Sequence, residues 1–185
     1  MDAERTSALD GGLGAFAIVL VLCAGLALLP RLISGQTTVA ADRDAPEFSL
    51  PIVANGGSVG GDGATLTMAS LRGRAVVLDF WATWCGPCRA EAPIVDGLAR
   101  RWRDRDVVVV GVNTDTPTQG DPREFARRHG LSYPIVRDET GEASRRYDVD
   151  SLPTLVVVSR TGKVVAVRNG MTDDAELDRL VRAAL

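Results

Sequence analysis

Two apolar runs, AVVLDFW at Ala75–Trp81 and VVVVGV at 107–112, constrain the fold of this chain more than any other feature. Neither run alternates apolar with polar residues, as a strand with one wet face does. Such strands are buried on both faces, and helical segments elsewhere in the chain must supply the cover. Short strands are read at 48–53 and 65–68, joined by the glycine-rich loop ANGGSVGGDGA, followed by a helical turn at Ala69–Leu71 that Gly73 ends. A helix opens at 85–87 and runs to about Arg103. A second helix, 121–129, has Asp121 as its cap, Pro122 in its first turn and Gly130 as its stop. A short strand at 133–137 and a short helix at 142–147 follow. Strands at 154–159 and 164–168 flank Arg160-Thr161-Gly162 as a hairpin. The last helix, 172–185, carries Leu177, Leu180, Val181 and Ala184 on one face. The order is two short strands and then β-α-β-α-β-α-β-β-α. It predicts an α/β fold, a central mixed β-sheet flanked by helices with an antiparallel hairpin near its end.

The chain of 185 residues suffices for one domain and an appendage. The appendage is read at the start. Residues 13–29, LGAFAIVLVLCAGLALL, carry no charge, and with their flanks reach about the 20 residues that a helix needs to span a bilayer. They are expected to form a transmembrane anchor behind a short tail at 1–12. A cleaved signal peptide is the alternative, with Val39-Ala40-Ala41 as its processing site, but the tail is not basic and that site lies far from the apolar run. A buried helix is a third reading. Cys23 follows Leu22, where lipid attachment needs a small residue, so it reads as a free thiol facing lipid or a neighbouring helix. Arg5 and Arg31 flank the run on either side, so charge does not orient it. Residues 30–45 read as a linker and 46–185 as the globular domain. The net charge of −3 gives no broad electrostatic reason to bind nucleic acid, and nothing in the sequence signals an oligomeric state.

The chemistry is read at Trp84-Cys85-Gly86-Pro87-Cys88-Arg89, where a buried strand gives way to a helix. A structural zinc site needs four ligands, and this chain has no second cysteine pair to supply them; Cys23 lies in the apolar run and the lone histidine, His129, is distant. The pair is read as redox-active and without a metal, the alternatives being a metal site and an inert buried pair. The spacing puts the first sulfur at the helix start, where free amides and the helix dipole stabilise a thiolate, and the second about one turn inside. Cys85 is the expected nucleophile and Cys88 the resolving thiol; the motif does not set the direction of exchange. Pro87 suits the first helical turn, and Gly86 leaves room for a partner strand. Trp81 and Trp84 flank the pair, one of them either covering the disulfide as an apolar docking surface or both serving only as packing. Asp79 lies within the apolar strand, where burial raises a carboxyl pKa; it either relays a proton to and from Cys88 or is a structural, hydrogen-bonded Asp. Glu91, one turn after Cys88, either tunes the thiols or is an exposed helix residue. Pro93 is expected to kink the helix, Arg89 to steer partners, and His129 to sit at a helix end on the surface. Pro153, in Ser151-Leu152-Pro153-Thr154, immediately precedes a strand.

With WCGPC, a buried-strand Asp and a later LPT, the sequence resembles the thioredoxin superfamily, and most nearly its tethered TlpA/ResA/CcmG-like branch. The strings FSLP, LRGRAVVLDFWATWCGPCRAEAP, GVNTD and YPIVRDETGEASRRYDVDSLPTLVVVSRTGKVV carry the resemblance over roughly 46–185. It implies a thioredoxin-like fold with an N-terminal β extension and a βα insertion within 113–146, Cys85 at an exposed helix N-terminus, and a cis Pro153 facing the cysteines beside Leu152, whose backbone would pair with an extended client. It implies that Asp79 is the buried acid of thioredoxins and that Glu91 matches the Glu of ResA-like reductases. It also implies a domain outside the cytoplasmic membrane, an exported client such as apocytochrome c, an electron donor of the CcdA/DsbD type, and no cofactor. Gly86 departs from the Glu-Pro or Pro-Pro versions common in cytochrome c maturation. An extracytoplasmic oxidase or general exchanger is the close alternative. A peroxiredoxin-like peroxide reductase, suggested by GVNTD and the inserted helix, and a redox-inert binding module are more distant ones.

Overall fold

The computed structural model describes residues 43–185, so the predicted span at 13–29 and Cys23 lie outside the described residues. Among the described residues no helix is long and apolar enough to cross a membrane. Eight strands form one sheet: β1 (Arg43–Asp44), β2 (Ser49–Ala54), β3 (Thr65–Thr67), β4 (Ala75–Trp81), β5 (Val107–Asn113), β6 (Ile135–Arg137), β7 (Thr154–Val158) and β8 (Lys163–Asn169). Their order across the sheet is β1-β8-β7-β4-β5-β6-β2-β3. β4, β5 and β6 run parallel; β7 is antiparallel to β4, and β8 to β7. Among the described residues four α-helices accompany them: α1 (Gly86–Trp102), α2 (Pro122–His129), α3 (Glu142–Arg146) and α4 (Asp174–Ala184). This is the thioredoxin-like fold that the sequence predicts, extended at the start by β1–β3 and within by a βα unit.

All seven residues of β4 and all seven of β5 are buried. The two-residue period of a strand divides them between two cores. Ala75, Val77 and Trp81 of β4 pack with α1, α2 and α4. Val76, Leu78 and Phe80 pack with Phe48, Leu50, Ile52, Met68, Leu71 and, around α3, Ala143 and Tyr147. Each large apolar side chain buried this way contributes roughly 1.5–3 kcal/mol, so the registers of the central strands are firmly set. The same alternation fixes the site: Asp79 points to the face of Val77 and Trp81, the face that α1 covers.

Most boundaries differ from the sequence reading by one or two residues, and two of the differences have a definite physical cause. The sheet begins at Arg43, inside the stretch read as linker, because β1 pairs with β8 and the Ala45 amide donates to the Gly162 carbonyl at 2.8 Å. A two-residue polar edge strand held by backbone hydrogen bonds leaves no hydrophobic pattern to read. β6 starts at Ile135 rather than Tyr133; Pro134, which has no N–H, precedes it and accepts from the Gly111 amide at 2.9 Å. The helix α1 continues through Pro93 to Trp102, and Asp121 and Asp173 cap α2 and α4 through Arg123 and Glu176 amides at 2.9 and 2.8 Å.

Candidate active site

Helix α1 starts immediately after the sheet releases the chain at Trp81. Two local anchors hold the intervening turn. The Thr114 amide donates to the Trp81 carbonyl at 2.9 Å, and the buried Asp115 carboxylate accepts from the Thr83 amide at 3.0 Å and from Asn113 Nδ2 at 2.8 Å. The GVNTD string thus has a local use: its last three residues pin the loop that carries the cysteines. This role is not legible in the sequence, because an Asp two residues past a strand end says nothing of the backbone it meets.

Cys85 is the N-cap of α1, in extended conformation, and its sulfur accepts from the Cys88 amide at 3.1 Å. It occupies the place where Ser or Asp usually satisfies a free helix amide. Pro87 falls in the first turn, where its missing N–H removes no helix bond. Cys85 and Cys88 form a disulfide, with Cα atoms 5.3 Å apart. Each cysteine is only 4% exposed, so the sulfur at the helix start is not the open one expected. What is open is the turn around it: Gly86, Pro87 and Arg89 are exposed, and Trp84 is 59% exposed while Trp81 is buried. The two tryptophans divide the readings offered for them. Trp84 is available to a partner; Trp81 packs against Phe125 at 4.5 Å between ring centroids.

β7 lies beside β4 in antiparallel register, with Thr154 opposite Phe80. The start of β7 therefore lies at the same end of the sheet as the end of β4, which places the Ser151–Pro153 turn beside the cysteine loop. The Leu152–Pro153 peptide is cis, Pro153 is buried, and Leu152 packs against both cores.

Three titratable side chains converge on the α1 face of the sheet. Asp79 is buried, and burial, aided by the negative charge of Glu91 and opposed by a hydrogen bond from Tyr133, raises its pKa to about 7. Glu91 is 1% exposed, which removes the exposed-helix reading; burial raises its pKa to about 7 against the opposing hydrogen bond of the Thr172 amide, 2.7 Å from Oε1. Its other oxygen, Oε2, is buried with no partner. Two like charges in one low-dielectric region resist joint ionisation, which is why Glu91 adds to the rise at Asp79. Tyr133 Oη donates to Asp79 Oδ2 at 3.1 Å, and burial together with Asp79 raises the phenol well above its ordinary value. In the sequence Tyr133 reads only as a strand residue; no local pattern shows that a residue 54 positions on meets Asp79.

Gly111 is the register partner of Asp79. A Cβ there would lie 2.9 Å from Trp81 Nε1 and 2.9 Å from Tyr133 Cε2. Both rings are confined by the core, so Gly111→Ala is expected to destabilise the oxidised domain by about 1–3 kcal/mol, the usual range for overpacking. Urea unfolding measures it; an unchanged midpoint would mean that the rings are free to give way.

The Arg89 amide donates to the Cys85 carbonyl at 3.2 Å, and its side chain borders an open cleft of about 430 Å³ with Thr83, Phe125 and Arg128. His129, at the end of α2, stacks on Phe125 at 4.2 Å between centroids, the surface position expected of it.

The sequence and the fold are matched among known proteins. The AhpC/TSA family model matches residues 41–167. Thiol-disulfide oxidoreductase ResA of Geobacillus kaustophilus is 31% identical over 165 residues, which cover 88% of this chain and 90% of the relative. ResA of Bacillus subtilis is 29% identical over 153 residues, 83% of this chain and 80% of the relative. A solved thiol:disulfide interchange protein of the thioredoxin family from Chlorobium tepidum superposes with a TM-score of 0.66 at 30% identity, covering 78% of this chain and 97% of that one. With a disulfide-bonded Cys-Gly-Pro-Cys at a helix start in a thioredoxin-like fold, the chain belongs to the AhpC/TSA family and, within it, to the ResA-like thiol-disulfide oxidoreductases.

Proposed function

We propose that the enzyme reduces disulfides of exported proteins, anchored by residues 13–29 in the cytoplasmic membrane with its catalytic domain on the outer side. The observation that carries the catalytic part of this reading is a disulfide at a helix N-terminus sharing one face of the sheet with two buried carboxyls, Asp79 and Glu91, whose pKa values are raised to about 7. Carboxyls of that strength exchange protons with thiols near neutral pH, where ordinary carboxylates are too weak as bases.

In the reductive direction the Cys85 thiolate, held by the Cys88 amide and the helix dipole, attacks one sulfur of the client disulfide. A Cys85–client bond forms, the client S–S bond breaks, and the leaving thiolate takes up a proton. Cys88 then gives its proton to the Asp79–Glu91 pair and attacks Cys85 Sγ. The mixed disulfide breaks, the second client thiolate is protonated, and two electrons have passed from the enzyme dithiol to the client. Trp84, Gly86 and Pro87 offer the exposed surface on which a client can dock; Leu152, beside Pro153, offers a backbone edge for an extended segment.

The wider setting follows the resemblance of the sequence to tethered reductases. Apocytochrome c is the proposed client and a membrane thiol carrier of the CcdA/DsbD type the proposed donor. The reduction potential tests the direction. A value below about −220 mV is expected of an electron donor, whereas a value near about −120 mV would make the enzyme an oxidant and remove the maturation reading. Peroxide turnover as fast as disulfide reduction would instead favour the peroxide-reductase alternative.

A further inference from the structure

Tyr133 lies in the loop before β6, 3% exposed, and reaches the second strand away from β6. It does so because β5 carries a glycine at the crossing point: Gly111 pairs with Ile135 on one side and Asp79 on the other, and the Tyr133 ring passes over it. The phenol ends on Asp79 Oδ2, 3.1 Å away. We propose that Tyr133 is a positioning residue that sets the proton affinity of Asp79, holding Oδ2 by a permanent hydrogen bond and leaving Oδ1 to trade the proton with Cys88. The proposal rests on the reading of Asp79 as the acceptor in the resolving step.

The physical basis is the sign of the hydrogen bond. A neutral donor stabilises a carboxylate more than a carboxylic acid and so favours ionisation. Tyr133 stays neutral throughout the working pH range, since burial and Asp79 oppose its own ionisation. The other groups act differently. Glu91 of α1 disfavours the charge on Asp79, and its own donor is the Thr172 amide. Asp96 of α1 bears on Tyr133 but is held by Arg100 at 2.7 Å and by the Ser132 amide and hydroxyl at 2.6 and 2.8 Å. Tyr133 is thus the side-chain donor that lowers the Asp79 pKa against burial and Glu91. Without it, Asp79 is protonated at higher pH and fails to accept the Cys88 proton when the solution is mildly acidic.

Tyr133→Phe tests this in the full-length enzyme, because the phenyl ring keeps the packing over Gly111 and removes only the hydroxyl. The readout is the pH dependence, from 5 to 9, of the rate at which Cys88 resolves a preformed Cys85 mixed disulfide. The acid-side midpoint is expected to rise by about one pH unit, the equivalent of one hydrogen bond. Resolution at pH 6 should slow about 5–10-fold, and at pH 9 less than about twofold. In an Asp79→Asn background the same substitution should leave the profile unmoved. A Tyr133→Phe midpoint equal to that of the parent, or an equal shift with and without Asp79, would overturn the proposal. An Asp79→Asn enzyme that keeps the parent profile would overturn the role of Asp79 itself.

Discussion

Cys85→Ser is expected to lower the kcat/KM for disulfide reduction by on the order of 10³-fold or more, the scale on which enzymes lose activity with their nucleophile. Cys88→Ser is expected to fail differently. The Cys85 sulfur is the one that accepts a helix amide, and it caps the helix from outside, whereas Cys88 lies within the first turn. In the disulfide this sulfur is a weak acceptor; as a thiolate it becomes a charged one, and the same amide then stabilises it more strongly. The first attack therefore belongs to Cys85. Cys88→Ser should still attack a client and should accumulate a mixed disulfide that only an external thiol releases. Non-reducing electrophoresis and mass spectrometry of the two variants, each mixed with a disulfide peptide, separate the cases. If Cys85→Ser trapped the peptide and Cys88→Ser did not, the assignment of nucleophile and resolving thiol would be reversed.

The features that carry this assignment were open to reading in the sequence, because each is local. The apolar run of β4, the cysteine pair behind it and Pro87 in the first turn all act within a few residues of one another. The burial of Asp79 was legible for the same reason: a carboxyl in the middle of AVVLDFW has no wet face to turn to. Glu91 was less legible. Its neighbours Ala90, Ala92 and Pro93 do not fix which side of α1 faces the sheet, and its backbone donor, Thr172, is 81 residues away. Tyr133 and Gly111 were not legible at all, since their meaning arises only when β5 separates β4 from β6. The Asn113–Asp115 anchor lies between these extremes, being short in sequence but directed at a loop 32 residues earlier. Local geometry was read from local pattern; the cross-strand pairs that tune the acids depended on the sheet order.

Those acids come at a cost to the folded state, and the second large effect follows from it. Asp79 has a folded-state pKa of about 7 against an ordinary value of 3.8, and Glu91 about 7 against 4.5. A carboxyl whose folded pKa is raised binds its proton more tightly in the native than in the unfolded state. Between about pH 4 and 7 the native state therefore holds more protons, and stability falls as pH rises through that window. The contribution is fully present below the unfolded pKa values and is lost once the pH exceeds the folded ones. Asp79→Asn removes the buried charge and keeps an oxygen for the Tyr133 hydroxyl. The oxidised variant is expected to be more stable than the parent by about 2–4 kcal/mol at pH 8, and within about 1 kcal/mol of it at pH 4. For a domain of this size the gain at pH 8 raises Tm by roughly 5–15 °C. Thermal unfolding of both proteins at the two pH values measures it. A variant less stable than the parent at pH 8 would mean that the Asp79 carboxylate is satisfied where it lies and holds no proton near neutrality. Its place in the transfer from Cys88 would then fall to Glu91, whose Oε2 is buried and unpartnered on the same helix as the thiol.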